Sequence, residues 1–181
     1  MRQRDIMNFL PAYHEAGHAV AAYVYTIPLY EINIHETEDR RGRAFINNTL
    51  RIQFMNDRQF LQYIKSIYAG NAAEMIYAGK NCKMTSSFEC KIFNCAYSDI
   101  MKADELIKSR FPENAVNVGI LRNETTTLLI DIWKMVELLA NTLQEEKEMT
   151  FQDISELLGD YMEEYDHLIY EKHEHTLALC R

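Results

Sequence analysis

Basic residues are in short supply. Nineteen lysines and arginines face 27 aspartates and glutamates, a formal net charge of −8. Gripping a phosphate backbone needs a basic face, so nucleic acid is not an expected partner. The one basic cluster, Arg40, Arg41 and Arg43, reads as decoration on a turn. Long apolar runs are also missing. No stretch reaches the roughly 18 uninterrupted apolar residues of a membrane span. The opening Met1-Arg2-Gln3-Arg4-Asp5 carries positive charge but leads into no apolar run of secretory-signal length. Cysteine is sparse: Cys82, Cys90, Cys95 and Cys180 include no C-x-x-C pair. The expectation is a cytoplasmic chain with reduced thiols and no membrane span. Cys95 is expected to pack as a small hydrophobe. With only six glycines, the chain has no low-complexity run, no internal repeat and no clear linker. It also lacks Gly-x-x-x-x-Gly-Lys-Ser/Thr, the loop that cradles nucleotide phosphates.

What is present is 48% hydrophobic content across 181 residues, enough for a real core. The pattern is mostly helical. A helix is expected from Pro11 to Thr26, because proline suits a first turn and Pro28 stops it. It is rich in small residues, among them Ala12, Ala16, Gly17, Ala19, Ala21 and Ala22. These let a neighbouring element approach closely. Alternation over 29–35 and over 43–48, with Arg41-Gly42 as a turn, predicts a hairpin. It is either a small structural sheet or an edge strand that an extended peptide can join.

Further helices are expected over 58–77 with Asp57 as N-cap, and over 87–110 behind a Ser86-x-x-Glu89 capping box. A long one is expected over 124–148, and a short one opens at Thr150-x-x-Asp153. Residues 1–160 then form one domain, and residues 161–181 a polar helical C-terminal tail holding His167, His173 and His175. The fold class is mainly α with one small β-hairpin or sheet.

The chemistry concentrates in Tyr13-His14-Glu15-Ala16-Gly17-His18. Helical residues four apart lie on one face, so His14 and His18 can offer two imidazoles to one ion. Glu15 is placed to act on a metal-bound water, as in zinc hydrolases. A catalytic zinc needs a third protein ligand. Glu74, Asp99, Asp104 and His35 all qualify by residue type.

At this point the sequence resembles the peptidase domain of FtsH-type ATP-dependent zinc proteases. His14-Glu15-Ala16-Gly17-His18-Ala19-Val20-Ala21 is similar to the start of that domain. Tyr30–Ile34 with Gly42–Phe45, Tyr68–Ile76, Ser98-Asp99-Ile100 with Ala103, and Leu138–Ile154 follow in family order. The chain departs at Gly70-Asn71, where the family has Gly-Gly, and at Ser98, where it has Asn.

The resemblance implies an FtsH-peptidase-like helical metalloprotease fold. It implies Zn2+ held by His14, His18 and Asp99, with Glu15 as general base. Glu74 becomes the carboxylate partner of a ligand histidine. The strand Arg43, Ala44, Phe45 and Ile46 becomes the substrate-binding edge. The implied activity is a zinc metalloendopeptidase acting on peptides or unfolded proteins. The sequence reads as the peptidase module alone, so a separate unfoldase and a homo-oligomer are the protein partners in view. The alternative is a metal-binding interaction or regulatory domain without proteolysis.

Overall fold

The computed structural model describes residues 2–35, 43–46, 52–113 and 116–173. Eight helices and three strands run in the order α1 (Gln3–Met7), α2 (Leu10–Val24), β1 (Leu29–Asn33), β2 (Arg43–Ile46), α3 (Asp57–Asn81), α4 (Ser86–Cys95), α5 (Tyr97–Arg110), α6 (Val118–Asp131), α7 (Trp133–Glu146), β3 (Glu148–Thr150) and α8 (Phe151–His173). The protein is mainly helical with a small antiparallel sheet. No helix among the described residues is long and apolar enough to cross a membrane.

Helix α2 is the axis of the fold. Pro11 sits in its first turn, and almost every residue after it is buried. A helix apolar all round belongs inside a protein. Its main neighbour is α3, and Gly17 explains how closely they meet. A Cβ at Gly17 would lie 2.4 Å from the Ala69 carbonyl oxygen and 2.7 Å from Ala73 Cβ. The small residues therefore bring the two backbones into direct contact. On another side Tyr13 stacks between Tyr77 and Trp133, with ring centroids 3.8 and 5.7 Å away.

The sheet has the order β2-β1-β3. Leu29 and Ile32 of β1 face the core. Ile32 pairs with Ala44 on one side and Met149 on the other. The third strand replaces the end of the helix expected over 124–148. Lys147 adopts φ 69°, a left-handed turn that stops α7 and sends the chain back along β1. That long helix is also broken at Ile132, whose φ −109° and ψ 26° leave the helical range. Apolar spacing continues across the break, so periodicity alone reads one helix.

Two more boundaries differ from expectation. The cap of α3 is Asn56, in a reciprocal capping box with Gln59 rather than at Asp57. The cap of α4 is Thr85 rather than Ser86, its side chain accepting from the Phe88 amide. The helix expected over 87–110 breaks at buried Ala96, with φ −94° and ψ 7°. Alanine is a strong helix former, so tertiary packing imposes this break. The Thr150–Asp153 box forms as read. The helix it opens, α8, runs unbroken past residue 160. Tyr161, Met162 and Tyr165 pack on the core, so the packed unit reaches at least Tyr165 rather than ending where the tail was expected. The Arg41-Gly42 turn, Asn47 and Asn48, His175 and Cys180 lie outside the described residues.

Candidate metal centre

Three elements build the site. Helix α2 presents His14 and His18 one turn apart, their rings edge-to-face at 4.5 Å. The break at Ala96 starts α5 afresh, and Asp99 stands in its first turn. Asp99 Oδ2 lies 3.1 Å from His14 Nε2 and 3.7 Å from His18 Nε2, and the two Nε2 atoms are 2.9 Å apart. These three residues form a group that could hold a metal ion.

Helix α3 decides what those atoms can do. His18 Nδ1 is 2.8 Å from the Ser66 carbonyl oxygen. A carbonyl only accepts, so Nδ1 carries the hydrogen and Nε2 of the neutral ring keeps its lone pair. His14 Nδ1 faces Glu74 Oε2 at 3.3 Å. The contact is not a well-formed hydrogen bond, and both atoms are buried with no other partner. An ionised carboxylate also only accepts, so His14 Nε2 likewise keeps its lone pair. The tautomers are thus assigned from their partners. With both rings neutral, two imidazole lone pairs and a carboxylate oxygen converge.

That is a donor set for a cation. A tetrahedral zinc with bonds of about 2.0–2.1 Å spaces its donors about 3.3 Å apart. Separations of 2.9, 3.1 and 3.7 Å bracket that value. Histidine nitrogens with one carboxylate are a zinc-type chemistry. The residues present therefore fit the ion.

Without an ion, the electrostatics place a shared proton among these groups, which a bound cation would displace. Burial opposes protonation of His14, yet the charge of Glu74 and the hydrogen bond to Asp99 outweigh it and raise its pKa well above the usual value. Burial alone would raise the Asp99 carboxyl, but its contacts with His14 and His18 hold it far below the carboxylate range. Glu15 is 5% exposed, and one of its carboxylate oxygens has no partner. Burial pushes its pKa up, against the pull of His14 and His18. A carboxyl raised in this way holds a proton more readily than an exposed one, as a general base must once it has taken it.

The other candidates have structural partners. Asp104 accepts from Tyr68 and forms a two-pronged bond with Arg122, at 3.0 and 3.1 Å. His35 pairs with Glu148 at 3.0 Å, exposed at the end of the sheet. Cys95 is exposed rather than packed as a core residue. The break at Ala96 separates it from the helix that carries Asp99. Strand β2, Arg43–Ile46, pairs with β1 alone among the described residues and lies beside α2.

Two contributors escaped the sequence reading. Ser66 acts through its backbone carbonyl, which no side-chain pattern reveals. Gly70 lies against both histidine rings. The available signal was spacing: Ser66, Gly70 and Glu74 are four apart and line one face of α3. A glycine inside a 25-residue helix is a further cue, because it costs about 1 kcal/mol relative to alanine.

The chain matches no protein-family model, and no curated protein matches it.

Proposed function

We propose that this chain is a zinc-dependent metallopeptidase resembling the FtsH proteolytic domain. The observation that carries the reading is the convergence of His14 Nε2, His18 Nε2 and Asp99 Oδ2, beside a buried Glu15. His14, His18 and Asp99 hold the ion. When bound, zinc acts as a Lewis acid and lowers the pKa of a water to about 7. Ser66 and Glu74 hold the rings in the tautomer that presents Nε2. Glu15 takes a proton on its unpartnered oxygen as general base, and returns it to the leaving amine as general acid. The outer edge of β2 takes the substrate as an added strand, through main-chain hydrogen bonds. Such a grip favours extended substrates, either flexible peptides or unfolded segments.

Glu15→Gln tests the mechanism. The variant keeps the carboxylate's shape but cannot accept the proton. Peptide hydrolysis should fall by at least about 100-fold, with bound zinc unchanged. Wild-type protein that binds zinc yet cleaves nothing in a peptide library would instead favour a metal-binding interaction domain.

A further inference from the structure

We propose that Gly70 is a positioning residue for the metal donors: its missing side chain is the space in which the two histidine rings meet. The inference rests on reading His14, His18 and Asp99 as a metal site. A Cβ built on Gly70 would lie 2.5 Å from His18 Nε2, 2.7 Å from His18 Cε1 and 2.8 Å from His14 Cε1. Carbon atoms in comfortable contact are about 3.5–4.0 Å apart. The nearest of the three atoms is itself a donor, and the other two are bonded to donors. A methyl group would therefore intrude on the donor side of both rings.

The rings have no easy retreat. His18 is held from behind by the Ser66 carbonyl, one turn before Gly70 on α3. His14 faces Glu74, one turn after it. Helix α3 thus presents a hydrogen-bond acceptor, a gap and a carboxylate at successive turns. The first and last fix the tautomers, and the gap admits the donors. Gly17 has a different part, because its absent Cβ makes room for Ala69 and Ala73 of the neighbouring helix. Gly79, on the same helix as Gly70, has nothing within 4 Å of its absent Cβ.

The test compares chelator-stripped wild type, Gly70→Ala and Gly79→Ala. Each is titrated with zinc, and with cobalt while its visible d–d absorption is read. Wild type and Gly79→Ala should bind one equivalent. Gly70→Ala should bind zinc about 100-fold more weakly, the effect of losing an orienting partner of a ligand, and give an altered cobalt spectrum. Its metal-free far-UV dichroism should match wild type.

A second comparison covers misfolding of the single variant. Adding Gly70→Ala to a His14→Ala/His18→Ala background removes the rings that the methyl would strike. The melting temperature should then hold or rise, since alanine is the better helix former. Wild-type zinc affinity and cobalt spectrum in Gly70→Ala would overturn the proposal. So would equal destabilisation with and without the rings, which would make Gly70 a helix-packing residue. Wild type that takes up neither metal would overturn the metal reading as well, and so marks a separate failure.

Discussion

His14 Nδ1 of α2 and Glu74 Oε2 of α3 face each other at 3.3 Å, both buried and without other partners. In the proposed metal site the pair links the helix that supplies two donors to one that supplies none. There Glu74 would hold the hydrogen of the neutral His14 ring on Nδ1 and leave Nε2 for the ion. Glu74→Gln keeps an acceptor oxygen but loses the charge. Zinc affinity should drop by roughly 10–100-fold rather than vanish. Competition with a calibrated chelator measures it, and an unchanged affinity would remove Glu74 from the site.

Of the three groups in the proposed site, Asp99 alone lies outside α2. Asp99→Ala should take up substoichiometric zinc by elemental analysis. Metal removal gives the matching thermal test. At 100 times Kd, zinc stabilises the folded state by about 2.7 kcal/mol. For a chain of this size that is a melting shift of roughly 5–10 °C. Chelation should lower the wild-type melting temperature by that amount and leave Asp99→Ala unmoved. Full occupancy in the variant would place the third ligand elsewhere.

Lys65 and Glu124 form a buried ion pair, Nζ to Oε2 at 2.6 Å, between α3 and α6. Removing one partner strands the other charge away from water. Glu124→Ala should cost about 3–5 kcal/mol, read from the denaturant midpoint. Replacing both, as Lys65→Met with Glu124→Leu, should recover most of the loss, because no charge is left unpaired. A double variant as weak as the single one would show that packing, not charge, sets the cost.

Acid should weaken the start of α8. The carboxylate of Asp153 accepts from the Thr150 side chain and amide, which holds its pKa below the ordinary value. A carboxyl lowered by folding stabilises fully above its unfolded pKa of about 3.9. That contribution is lost as pH falls through the folded value. The melting-temperature gap between wild type and Asp153→Ala should therefore be open at neutral pH and close as acid carries the pH down through that lowered value. A gap that persists in acid would assign it to something other than the charge.

Local chemistry was legible in the sequence, and tertiary placement was less so. His14, Glu15 and His18 declare themselves because one helical turn fixes their relation. That some element would seat closely on α2 could be read from Ala16, Gly17 and Ala19, but not that it would be α3. Asp99 could not be chosen from the residues alone, since Glu74, Asp104 and His35 carry equally suitable atoms. Only the ordered resemblance singled it out, and only the fold brings it to 3.1 Å from His14 Nε2. The breaks at Ala96 and Ile132 left no trace, because neither residue disfavours helix strongly and the apolar spacing continues through both. Strand β3 is three residues long, too short for alternation to register. It exists because Lys147 turns left-handed and returns the chain to β1.

The side chain of Asp99 is 33% exposed, against 13% for His14 and 9% for His18. The two histidines are thus walled in where α2 meets α3, and the aspartate stands at the rim. Of the three groups, the aspartate is the one most open to solvent. In the proposed site the two histidines form the floor, and the open side belongs to the donor that the chain supplies from far along its length.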